Sequence, residues 1–209
     1  MNQLSHFVQS LPSNAPKTAR GQKTWIAILQ AAEHEFGEKG YHEAAITSIT
    51  QKAGVAMGTF YVHFKSKEEI FRALVSHMGQ LTRSWIAERV ADAPDRLEAE
   101  KRGIGAFIEF ARTHKNLYRI VNEAQFVAPD AYRTYFDSFA DAYERQLDDA
   151  AAKGEVRPGK NNHRAWALIG ASVFLGQRFG VWDEEYPIDD IADSIGDLIF
   201  YGLTPDNKP

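Results

Sequence analysis

The chain has 209 residues, 44% hydrophobic and 25% charged, a balance that excludes disordered and fibrous classes. It contains no cysteine, which removes disulfide scaffolds, thiolate metal sites and cysteine nucleophiles together and suits a reducing cytoplasm. The net charge of −4 is unevenly spread: residues 1–85 hold nine Lys/Arg against six Asp/Glu, a balance of +3, and the remainder 15 against 22, a balance of −7. Only the front of the chain suits a polyanionic partner.

Apolar residues recur at spacings of three and four along most of the sequence, and alternation of period two is absent, so an all-α protein of nine helices is expected. Residues 1–19, with Pro12 and Pro16, read as a flexible arm. The first 13 residues lack a basic start with an apolar run, and no later stretch reaches the roughly 20 apolar residues of a membrane span; a cytoplasmic protein without membrane contact is expected.

Trp25, Leu29, Ala32 and Phe36 mark one face of a first helix, which Gly37 and Gly40 are expected to end. Two short helices follow, about 46–53 and 57–63, separated by Gly54, Val55 and Ala56. Such short pieces need support from their neighbours. A longer helix opens at Ser66, where Ser66 and Glu69 form a capping-box pattern, and its apolar face is Ile70, Leu74, Met78, Leu81 and Trp85. Beyond Ala93-Pro94 the pattern becomes a bundle: helices of about 95–113, 116–126, 130–152, 162–182 and 188–202. The expected domains are a helix-turn-helix domain over 20–66, a connecting helix over 67–92, a ligand-binding and dimerisation domain over 93–203, and a tail over 204–209.

Two short helices joined by a tight glycine-containing turn are the helix-turn-helix arrangement, whose second helix enters the major groove. Gly54 suits a left-handed turn, and Val55 plugs the space beneath it. Gly58 lets the backbone come close to a phosphate. Thr59, Tyr61, His63 and Lys67 supply donors that can position a protein on DNA, while Phe60 and Phe64 face the small core. The run from Gly54 to Phe71, Gly-Val-Ala-Met-Gly-Thr-Phe-Tyr-Val-His-Phe-Lys-Ser-Lys-Glu-Glu-Ile-Phe, closely resembles the signature of the tetracycline-repressor (TetR/AcrR) family, and the resemblance covers roughly residues 20–80.

That resemblance implies phosphate contacts at Tyr61, His63 and Lys67, with Met57, Gly58 and Thr59 nearest the bases and backbone. It implies a homodimer on double-stranded operator DNA, a repressor released by a small-molecule inducer of unknown identity, and no further cofactor. Two departures stand out. Ala44 and Ala45 occupy the usual hydroxyl-cap position before the second helix, so Thr47 or Ser48 is expected to cap it or to meet phosphate. Ala56 and Met57 replace a Ser-Lys pair, which should shallow the salt dependence of binding by about one unit of slope. Met57 can instead touch a thymine methyl.

Nine of the 25 aromatic residues lie between Phe107 and Tyr143. They suggest an aromatic ligand pocket of Phe107, Phe110, Tyr118, Phe126, Phe136, Phe139, Tyr143 and Phe174, with Arg119, Asn122, Glu123, and Gln177 or Arg178 as polar handles. The same rings can simply pack a bundle. Trp166, Gly170, Val173, Ile191, Ile195, Leu198 and Ile199 on the last two helices are candidates for an isologous four-helix dimer interface. The seven histidines form no His-x-x-x-His pair, and neither a Gly-x-Ser-x-Gly elbow nor a phosphate loop occurs, so no enzyme and no metal site is expected. A helical carrier without DNA binding is the other rival; it leaves the order of residues 54–71 unexplained.

Overall fold

The computed structural model describes residues 15–203; the greater part of the arm (1–14) and the tail (204–209) lie outside them. Among the described residues there are nine helices and no strand: α1 (Ala19–Glu43), α2 (Ile46–Ala53), α3 (Met57–His63), α4 (Lys67–Val90), α5 (Arg96–Thr113), α6 (Lys115–Val127), α7 (Pro129–Ala152), α8 (Asn161–Leu175), which continues as a π-helical stretch over Gly176–Trp182, and α9 (Ile188–Tyr201). No helix among them is long and apolar enough to cross a membrane. The chain gathers into two compact units. Of the described residues, 15–81 and 115–136 make the first, and 82–114 and 137–203 the second.

In the first unit, α1 starts where the Thr18 hydroxyl accepts the Gly21 N–H at 3.1 Å. It buries Trp25, Ile28, Leu29, Ala32 and Phe36. Phe36 meets Phe71 edge-on with ring centres 5.3 Å apart, and Trp25 stacks on Phe64 at 5.9 Å. Gly37 does not end the helix. It stays helical and buried because a Cβ there would run into the Asn116 side chain, so the glycine allows α6 to lie close against α1. The break falls at Gly40, whose φ of 78° is a left-handed value that favours glycine.

In the second unit, α5 is central. Asp95 caps it by accepting the Glu98 N–H at 2.9 Å. Its Ile104 and Ile108 form a buried cluster with Ile191 of α9, against which Leu175, Phe179, Ile188, Ile195 and Ile199 pack. The period of the sequence suggests one unbroken helix over 162–182, but its last seven residues widen into π geometry. Gly176 and Gly180 fit that stretch against α5, since a Cβ would stand 2.7 Å from Phe107 at the first and 2.7 Å from Ala111 at the second. Arg112 fastens it by donating to the carbonyls of Phe179 (2.9 Å) and Tyr186 (2.7 Å). π-Helical turns inside α-helices occur often at functional sites.

Candidate nucleic-acid interface

α2 ends as its glycine requires. Gly54 has φ 67° and ψ 33°, its N–H reaches Gln51 O at 3.2 Å, and the Val55 N–H reaches Thr50 O at 3.0 Å. This tight reversal delivers α3 at an angle to α2. α3 is anchored on its inner side by Phe60, fully buried, and by Phe64 just past its end. Burying two Phe side chains is worth about 1.5–3 kcal/mol each, enough to hold a seven-residue helix that would not form alone.

The outer side of α3 is open. Tyr61 is 52% and Val62 79% exposed, Met57 and Gly58 are exposed, and Thr59 is half-buried. A Cβ built on Gly58 meets nothing within 4 Å. Nothing in the protein's own packing therefore requires glycine there, although glycine within a helix costs about 1 kcal/mol relative to alanine.

His63 is half-buried at the rim of a groove of about 510 Å³ that it lines with Trp25, Val62, Phe64, Glu69 and Arg72. Burial holds its imidazole below its ordinary pKa. Lys67 is placed differently from the other candidates. Its ammonium turns back to the end of α1, within hydrogen-bond distance of the carbonyls of Tyr41, His42 and Ala44.

The expected hydroxyl cap of α2 is not made. Ala45 is the cap residue and no side chain of α2 serves. A buried carboxylate of α1 stands near this end: Glu35 is paired with Lys39 at 2.7 Å, and Ser48 and the backbone of Ala45 also favour its charge. Burial pushes Glu35 up, but Lys39 and these groups outweigh it and hold the carboxyl below its ordinary pKa. Thr47 is left exposed on the surface of α2. The capping box at Ser66 also differs in one half. The Ser66 hydroxyl accepts the Glu69 N–H at 3.1 Å, but Glu69 reaches back to the Lys65 N–H at 2.6 Å rather than to that of Ser66.

The pocket and interface candidates divide. Phe107, Phe110 and Tyr118 are buried, and Phe136, Phe139, Tyr143 and Arg178 half-buried. Phe126 and Phe174 are instead surface residues, 82% and 75% exposed, and Arg119 and Asn122 are exposed as well. Glu123 spends its carboxylate on a backbone N–H of α1. Tyr143 gives its hydroxyl to the buried Glu100, which is also ion-paired with Arg96. Arg178 pairs with Asp183. Of the interface candidates, Ile191, Ile195 and Ile199 turn inward to the protomer's own core, because the apolar face of α9 is spent on α5. Trp166, Gly170 and Leu198 face outward, and Val173 is half-buried. Phe174 joins Trp166 and Gly170 at helical spacing along one stripe of α8.

A recognition helix set on a buried aromatic base, open on its far side and joined to its partner by a left-handed glycine, defines a helix-turn-helix DNA-binding transcriptional regulator. The family model for bacterial regulatory proteins of the tetR family matches residues 28–74, the segment that holds α2 and α3. Over that segment the chain is similar to the family. The uncharacterized HTH-type transcriptional regulator YdgC of Bacillus subtilis is 26% identical over 192 residues, covering 90% of this chain and 96% of YdgC. Among solved structures, the transcriptional regulator FadR of Bacillus subtilis, in complex with stearoyl-CoA, superposes with a TM-score of 0.74 at 20% identity, covering 86% of this chain and all of FadR. AibR, in complex with isovaleryl coenzyme A and operator DNA, superposes with a TM-score of 0.66 at 19% identity, covering 84% of this chain and 97% of AibR.

Proposed function

We propose that the protein is a repressor that binds a palindromic operator as a homodimer and releases it when a small molecule enters its C-terminal bundle. The observation that carries the DNA-facing part is the open outer side of α3, above all Gly58, which no internal contact requires. Met57, Gly58 and Thr59 lie nearest bases and backbone, and Thr47, Tyr61 and His63 hold phosphates. Residues 20–66 read DNA, the helix over 67–92 connects, and residues 93–203 bind the effector and the partner.

The stripe of Trp166, Gly170, Val173 and Phe174 supports dimerisation through α8, with Leu198 of α9 beside it. Large aromatic side chains this exposed are characteristic of a surface that another chain covers. Two copies related by a twofold axis set two recognition helices into successive major grooves about 34 Å apart, and the operator takes on the same symmetry. The effector acts because its affinities for the DNA-compatible and DNA-incompatible states differ. Acyl-CoA thioesters are the class to try first, since FadR and AibR are described with stearoyl-CoA and isovaleryl coenzyme A. Titration of operator-bound protein with a series of acyl-CoA chain lengths tests this: one length should dissociate the complex, and free CoA should not. Retention of DNA at every length would remove acyl-CoA from the proposal.

A further inference from the structure

Lys67 closes the base of the segment that carries the recognition helix. Its ammonium donates to the carbonyl oxygens of Tyr41 at 2.7 Å, His42 at 3.2 Å and Ala44 at 3.0 Å, and lies 4.5 Å from the centre of the Tyr41 ring. These carbonyls belong to the C-terminal end of α1, where the last acceptors lack helical partners and the helix dipole favours a cation. An ammonium has three N–H donors and no acceptor, and each donor of Lys67 has a carbonyl. Lys67 is the first residue of α4, and 23 positions separate it from Ala44. A single side chain therefore ties together the two ends of the stretch that holds α2 and α3. A phosphate oxygen would reach this ammonium only by displacing one of those carbonyls.

We propose that Lys67 is a positioning residue and not a phosphate contact: it fixes the direction in which α3 is presented to DNA by clamping the end of α1 to the start of α4. The DNA arm of its test rests on the reading of α3 as the DNA-facing helix; the other arm does not.

Two substitutions separate the roles. Lys67→Met keeps the apolar stem and removes the charge. Lys67→Arg keeps the charge, but a planar guanidinium fork cannot serve three convergent carbonyls as an ammonium does. Without DNA, amide hydrogen exchange across residues 44–66 of the full chain should quicken about tenfold or more in both variants, with exchange in the second compact unit unchanged. With a selected operator, at a temperature where both variants are folded, affinity should fall about tenfold or more in both, while the slope of log affinity against log salt stays that of the unsubstituted protein. A phosphate contact gives the opposite pattern. Arginine then restores affinity, and methionine lowers the slope by about one for each protomer on the duplex. Either of those results, or unchanged exchange across 44–66 in Lys67→Met, overturns the proposal. If the unsubstituted protein selects no duplex, the reading of α3 fails, and the exchange measurement still decides the role of Lys67.

Discussion

Both carboxylate oxygens of Glu123 accept the backbone N–H of Tyr41, at 2.8 and 2.9 Å. Tyr41 follows the break at Gly40, where its N–H has left the regular helical ladder, and a Cβ on Gly40 would stand 3.3 Å from Glu123 Oε1. The carbonyl of the same residue is held by Lys67. One residue at the end of α1 is thus fixed by α6 on its amide side and by α4 on its carbonyl side. Removal of the carboxylate leaves the N–H without a charged acceptor. Glu123→Ala should lower the unfolding free energy by about 1–3 kcal/mol, with Glu123→Gln retaining part of it, measured by urea denaturation. Equal stability in all three proteins would show that the contact contributes nothing.

Gly58→Ala separates folding from recognition. The added methyl meets no atom of the protein within 4 Å and replaces a poor helix former by the best one. Thermal unfolding should show a protein at least as stable, by up to about 1 kcal/mol. On the proposed reading, affinity for the operator should fall about tenfold or more, because the methyl would occupy the space where DNA approaches. A variant that binds as tightly as its parent would show that α3 does not come that close.

On the proposed reading, in which His63 meets a phosphate, the DNA affinity has a pH dependence whose sign can be worked out. Burial lowers its pKa, so in the free protein the imidazole is neutral near pH 7. A neighbouring phosphate favours the imidazolium, so binding takes up a proton, and affinity should rise as pH falls from about 7.5 toward 6. His63→Gln should flatten that rise. The same depressed pKa acts oppositely on folding: its contribution is present above the unfolded value of about 6.5 and is lost as pH falls through the folded value. Binding isotherms and thermal melts across this range should therefore move in opposite directions for the parent and neither should for the variant at this site.

Gly170 and Phe174 test the partner surface. A Cβ on Gly170 meets nothing within 4 Å in the protomer, and the Phe174 ring is largely exposed, so Gly170→Leu and Phe174→Glu should leave helical content and melting of the single chain nearly unchanged. Sedimentation should show a shift from dimer toward monomer in both, and operator affinity should fall with it. Dimers of unchanged strength would move the interface elsewhere.

The helix-turn-helix was legible because its signals are local. A left-handed glycine and a short apolar anchor both act within a few residues, so the bounds of α2 and α3 and the turn between them follow from the sequence. Helices that owe their geometry to a neighbour were not. The charge of Glu35 is favoured by Ser48 and the Ala45 backbone near the start of α2, on another element, where no spacing rule applies, and Gly37 is glycine because of Asn116, far along the chain. Periodicity identifies the apolar face of α9 but not what covers it, which is why Ile191, Ile195 and Ile199 read as an interface and pack inside. Phe126 and Phe174 read as pocket residues for the same reason: an aromatic residue at helical spacing does not declare which side of the bundle it faces. The π stretch after Leu175 leaves no mark on composition, since it comes from the close seating of Gly176 and Gly180 on α5.

The most direct test of the account is selection from random duplex DNA at about 100 mM salt, followed by titration of the enriched duplex with the parent protein and with Tyr61→Ala and His63→Ala. The account requires a palindromic sequence with half-sites one helical turn apart or a multiple of it, two protomers per duplex, and weaker binding by both variants with their fold intact. No enriched sequence, or affinity indifferent to both substitutions, would contradict it.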